Sequence, residues 1–202
     1  SFRKELELLT SKRPNRPFLF VGFVDTPYVF AADRGKGRWS TLEPANGERP
    51  DVLIETVNGL FKALRKRFPH IHKDRTSLTL AGFSGGGRVL DSVAAWLSKT
   101  GRDDPYAEVF RSHLTKLAYF DCWFGKKVAE TVPLLLQENP GMKIVGTVHM
   151  ETPRKNALIL ANKFKMRANT KKRELVGLDG RLVIYANDSH WAAMIARLSE
   201  AL

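Results

Sequence analysis

The sequence predicts an α/β fold with a mostly parallel sheet flanked by helices. Three observations support this. Short, dense apolar runs alternate with stripes at helical spacing, which is the pattern of successive βα units. The chain has 202 residues and 43% hydrophobic content, enough to bury a core without a disulfide or metal staple. No internal repeat, low-complexity stretch or long linker divides it, so residues 1–202 are expected to form one domain.

The apolar runs are Phe18–Val24, Leu78–Phe83, Leu117–Phe120, Ile144–Val148 and Leu182–Ala186, each expected to be a buried strand. Between them, Leu53, Ile54, Val57, Leu60, Phe61, Leu64 and Phe68 recur at helical spacing until Pro69, which cannot continue the hydrogen-bond ladder. Val89, Leu90, Val93, Ala94 and Leu97 form a second stripe closed by Gly101. Thr131 is placed to cap a third helix with Pro133 in its first turn. Ala157, Leu158, Ala161 and Phe164 mark a fourth, and Trp191, Met194, Ile195, Leu198 and Leu202 the last. The Gly-, Pro- and Asp-rich segment Thr26–Pro50 is the least regular and is expected to wall a site.

Several classes are excluded at this stage. No stretch approaches the roughly 20 apolar residues of a membrane-spanning helix. The single cysteine, Cys122, cannot form an internal disulfide or a four-cysteine zinc site, and the five histidines are scattered. The numbering opens at Ser1 without an initiator Met or a basic, apolar signal segment, which implies that upstream residues were removed or left out and leaves the compartment open.

The most informative residues are Gly82-Phe83-Ser84-Gly85-Gly86-Gly87. A G-x-S-x-G pattern carries weight where it follows a strand and opens a helix, because the turn is then so sharp that only glycines fit beside the serine. Thr79-Leu80-Ala81 lead in as a strand and Arg88-Val89-Leu90 begin an amphipathic helix. Ser84 would then stand at the strand's carboxyl end, close to the free N–H groups and positive dipole end of that helix. A phosphate-cradling turn at Gly85–Gly87 is the competing reading. It is disfavoured because the spacing is neither G-x-G-x-x-G nor G-x-x-x-x-G-K-[ST].

With these residues the chain resembles the α/β-hydrolase superfamily from about Phe18 to its C-terminus. The resemblance implies a three-layer sandwich and a triad in the order nucleophile, acid, histidine, with the histidine in a loop between the last strand and a terminal helix. Leu182–Ala186, Asn187-Asp188-Ser189-His190 and Trp191–Leu202 fit that order, so Ser84 is the implied nucleophile and His190 the implied base. His149, at a strand end, is the rival histidine. Three carboxylates compete for the acid. Asp121 follows an earlier strand within an aromatic stretch, Glu151 occupies the family's commonest position, and Asp188 is too near His190 in sequence to reach back to its ring. Asp121 is preferred, because an unpaired carboxylate would be costly in apolar surroundings.

The Gly85 N–H would supply one oxyanion donor. The family's His-Gly segment, which would complete the hole, is absent from the sequence. A second donor is expected from Phe23–Asp25 if Phe18–Val24 is the early strand; otherwise that strand lies upstream of Ser1. No cofactor or metal is implied.

The net charge is 33 − 21 = +12, and it is concentrated. Lys163, Lys165, Arg167, Lys171, Lys172 and Arg173 form a run without an acid, and residues 62–75 hold six more Lys/Arg against Asp74. Such a surface attracts anionic polymers or membranes, or is a solvated helix face. The expected function is an esterase-, lipase- or amidase-type serine hydrolase. The alternative is a non-catalytic polyanion-binding protein on the same fold.

Overall fold

The computed structural model describes residues 49–69, 77–100, 104–123 and 128–190. The first apolar run, residues 26–48 of the irregular segment, Phe23–Asp25, Gly101 and the terminal stripe Trp191–Leu202 lie outside these residues.

Among the described residues six strands form one sheet. Helix α1 (Asp51–Arg67) comes first, followed by β1 (Leu78–Phe83), a single 3₁₀ turn (Ser84–Gly86), α2 (Gly87–Lys99), α3 (Pro105–His113) and β2 (Leu114–Phe120). Then follow α4 (Val128–Glu138), β3 (Lys143–Val148), α5 (Glu151–Lys163), β4 (Arg167–Asn169), β5 (Glu174–Gly177) and β6 (Leu182–Ala186). The strand order is β1-β2-β3-β6-β5-β4. The first four in that order are mutually parallel, and β5 and β4 add an antiparallel edge.

Parallel neighbours end at the same edge, so the segments leaving β1, β2, β3 and β6 emerge together, where α/β sheets generally place their sites. Successive side chains on a strand point to opposite faces. Leu117, Ala118, Tyr119 and Phe120 are all at most 2% exposed, so both faces of β2 are covered, as a parallel strand requires.

The helices follow their stripes. Leu53, Ile54 and Val57 of α1 are buried, while Asp51 in the first turn and Arg65, Lys66 and Arg67 in the last complement the helix dipole. Phe68 lies beyond the last helical residue and is exposed, so it does not extend the stripe. Val89, Leu90, Val93, Ala94 and Leu97 of α2 are buried in the core, as their spacing predicts.

Helix α3 carries a start signal that periodicity overlooks. The Asp104 side chain accepts from the Tyr106 and Ala107 amides, and Pro105 occupies the first helical turn. Phe110 then meets Trp96 edge-on, with centroids 5.7 Å apart.

Two expectations are corrected. Helix α4 begins at Val128, so Thr131 does not cap it and Pro133 lies inside it. The interior proline is tolerated because the Ala129 carbonyl, deprived of a Pro133 N–H, accepts the Lys163 ammonium from α5 at 2.8 Å. The basic run is also not a helix face. Lys163 ends α5, Arg167 starts β4, and Lys171, Lys172 and Arg173 occupy the exposed turn of the β4–β5 hairpin. Lys165 and Arg173 have φ of 46° and 52°, which a continuous helix would not permit.

Among the described residues no helix is long and apolar enough to cross a membrane.

Candidate functional site

Ser84 follows the last residue of β1 and opens the 3₁₀ turn leading into α2. Its φ is 51°, left-handed backbone that serine adopts at a cost, and such strain is concentrated at sites where geometry matters. The turn doubles back tightly. A Cβ on Gly82 would lie 2.8 Å from the Gly86 carbonyl oxygen, and one on Gly87 would collide with the carbonyl and side chain of Cys122. A Cβ on Gly86, by contrast, would meet open space. Of the two glycines in G-x-S-x-G only Gly82 is sterically required, and the second close approach falls at Gly87. Gly85, the expected oxyanion donor, is the middle residue of the turn.

Asp121 follows β2, fully buried, with φ of 49°. Its main chain and carboxylate are held by the neighbouring strand. The amide donates to the Thr147 carbonyl at 2.9 Å and lies 3.2 Å from its hydroxyl, and Oδ1 accepts the His149 and Met150 amides at 2.7 and 3.0 Å. The segment beyond is anchored equally closely. The Cys122 thiol donates to the Gly82 carbonyl at 3.2 Å, the Trp123 ring fills the space a Gly146 side chain would need, and Asn156 donates to the Trp123 carbonyl.

His190 follows β6, and its Nδ1 lies 2.6 Å from Asp121 Oδ2. With the carboxylate ionised, Nδ1 carries the hydrogen and Nε2 is left with a lone pair. The ring packs on Phe83, with centroids 4.4 Å apart and planes at 33°, which brings it beside the residue that precedes Ser84. The buried carboxylate thus has three donors, the condition under which burial of a charge is tolerable.

The rival acids are occupied elsewhere. Glu151 is exposed on α5 and paired with Lys155 at 2.7 Å, whose ammonium holds its carboxyl below the ordinary range. Asp188 is exposed too, and the Arg173 guanidinium lies 2.7 and 2.9 Å from its two oxygens. His149 is turned toward the Asn187 carbonyl, 3.2 Å from its Nδ1.

The structure therefore brings Asp121 and His190 together, sets Ser84 next to the residue under the His190 ring, and leaves Glu151 and Asp188 apart. Sequence reasoning did not find the His149 and Met150 amides, because a main-chain donor leaves no residue-type signal, nor Arg173, which reads as one more charge in a basic run. Among the described residues no three His, Cys, Asp or Glu side chains gather as a metal site. Compared with family models, with curated proteins and with solved structures, the chain matches none.

Proposed function

We propose that this protein is a serine hydrolase of α/β-hydrolase type, built on that family's three-layer sandwich and cleaving an ester or amide by acyl transfer. The observation that carries the reading is the 2.6 Å contact between buried Asp121 and a His190 ring lying against Phe83, one residue from a serine in left-handed backbone. Ser84 Oγ attacks the substrate carbonyl while His190 Nε2 takes its proton. The C–O or C–N bond then breaks as that proton passes to the leaving group, and water repeats the sequence to release the acid. Asp121 orients the ring and stabilises the imidazolium. The Gly85 N–H, in the turn that opens α2, is the donor assigned to the developing oxyanion.

A fluorophosphonate probe tests this, because it reacts only with an activated serine. Peptide mapping should place the adduct on Ser84, and Ser84→Ala should abolish both labelling and hydrolysis of a short-chain ester. Labelling elsewhere, or undiminished turnover in the variant, overturns the assignment.

A second reading, binding of an anionic polymer or membrane surface, is favoured by one observation. Lys171 and Lys172 project from an exposed hairpin turn at the sheet edge. The two readings are compatible.

A further inference from the structure

We infer that His149 is a positioning residue that holds the acid and the base of the site in register, an inference that rests on the serine-hydrolase reading.

His149 is the first residue beyond β3, the strand between those that lead to Asp121 and His190. It touches Asp121 and the loop that carries His190. Its amide donates to Asp121 Oδ1 at 2.7 Å, and its ring Nδ1 lies 3.2 Å from the carbonyl oxygen of Asn187, the residue that starts the loop carrying His190. A carbonyl only accepts, so Nδ1 bears the hydrogen and donates.

The Asn187 amide donates to the Val148 carbonyl at 3.0 Å, so the end of β3 grips the first loop residue at both of its main-chain groups. The loop is also gripped from the other side, where Arg173 pairs with Asp188 and its carbonyl accepts the Ala186 amide at 2.9 Å. The Arg173 pair is exposed and screened by solvent, whereas the His149 contact is partly buried and is the one that also reaches the acid. Neither group of His149 needs to touch substrate. Together they fix the separation between the Asp121 carboxylate and the His190 loop, and a small misplacement of a catalytic base is costly.

Replacing the side chain leaves the amide bond to Asp121 in place, so substitutions isolate the ring. Asparagine can set its Nδ2 near the position of the imidazole Nδ1; glutamine and alanine cannot. In the full chain, His149→Ala and His149→Gln should lower kcat for a neutral ester about tenfold with KM unchanged, and His149→Asn should restore kcat to within about threefold of wild type. A second readout needs no turnover. The downfield proton resonance of the Nδ1–H between His190 and Asp121 should be present in wild type and His149→Asn, and broadened away by exchange with water in the other two. His149→Gln keeps most of the side-chain volume, so it reports even if His149→Ala fails to fold.

The inference is overturned if His149→Gln keeps both the resonance and wild-type kcat, or if His149→Asn is as impaired as His149→Gln. If wild-type Ser84 does not label with the fluorophosphonate probe, the hydrolase reading falls, and the resonance comparison still decides the role of the ring.

Discussion

Asp121, Glu151 and Asp188 are alike in chemistry and differ in what surrounds them. Asp121→Asn should cut turnover by about 10³–10⁴-fold, since the neutral isostere removes the charge that stabilises the imidazolium and favours the wrong tautomer. Glu151→Gln should leave turnover unchanged, its partner being the exposed Lys155. Asp188→Asn should cost less than about tenfold, as expected for loss of an exposed ion pair. Steady-state kinetics on the three variants checks the ranking, and a damaging Glu151→Gln would reverse it. The aromatic stretch around Asp121 marks it in the sequence as a carboxylate that must find donors. Which donors it finds is a matter of strand register, and register brings the amides of residues 149 and 150 to residue 121.

Two other buried groups make a prediction about pH. Burial pushes the Tyr119 phenol well above its ordinary 10.0 and the Cys122 thiol well above its ordinary 9.0, with the Asp91 carboxylate adding to both. In the unfolded chain both deprotonate at their ordinary values, so above that range the unfolded state binds fewer protons than the native one and stability falls as pH rises. Each contribution is intact well below the group's ordinary value, 9.0 for the thiol and 10.0 for the phenol, and declines by up to about 1.4 kcal/mol per pH unit above it. Denaturant titrations from pH 7 to 11 should show the slope, and Tyr119→Phe should remove the phenol's share. An unchanged slope in that variant would exclude the phenol as a cause.

Where elements meet, close approach outweighs local preference. Gly146→Ala should destabilise by about 1–3 kcal/mol or more, because the added methyl would collide with the Trp123 ring, and the ring cannot retreat without moving the segment that carries Asp121. Gly86→Ala, with open space at its Cβ, should be mild by comparison. Thermal unfolding of both variants tests the contrast.

Helix α4 shows a related effect. Pro133 reads as a first-turn residue, yet the helix extends five residues before it, because Lys163 of α5 supplies the donor that Pro133 lacks. Lys163→Met should cost about 0.5–1 kcal/mol, and less in a Pro133→Ala background, where the alanine N–H can bond the same carbonyl. Additive effects in a double-mutant cycle would separate the two residues. No local pattern could have announced this contact, which spans 34 positions of sequence.

At the scale of the whole molecule, strand order sets the basic hairpin beyond β6, at the opposite edge of the sheet from the strand that leads to Ser84. Five strand steps of about 4.8 Å, roughly 24 Å, lie between β4 and β1, which leads to Ser84, but only two, roughly 10 Å, between β4 and β6, which leads to His190, against a Debye length of about 8 Å at 0.15 M salt. Because Lys165, Lys171 and Lys172 are exposed and a neutral ester carries no charge, replacing these lysines by Gln should leave its turnover unchanged. It should also weaken binding to DNA, heparin and anionic vesicles and reduce the salt slope on DNA by about 2–3. Arg173 is best left intact, since its pairing with Asp188 bears on the His190 loop. Binding indistinguishable from wild type on all three anions would reduce the basic hairpin to a solubility feature.

The α/β class, the main strands and helices, and Ser84, Asp121 and His190 as candidates were legible in the chain itself, since apolar periodicity, glycines at a sharp turn and the residues that follow each strand are local signals. The β4–β5 hairpin, the start of α4 and the main-chain donors that hold Asp121 were not legible. The hairpin's strands, three and four residues long, are too short for a periodicity to register, and the other two depend on donors that tertiary folding brings within about 3 Å from 28 to 34 positions away, where no pattern along the chain encodes their meeting.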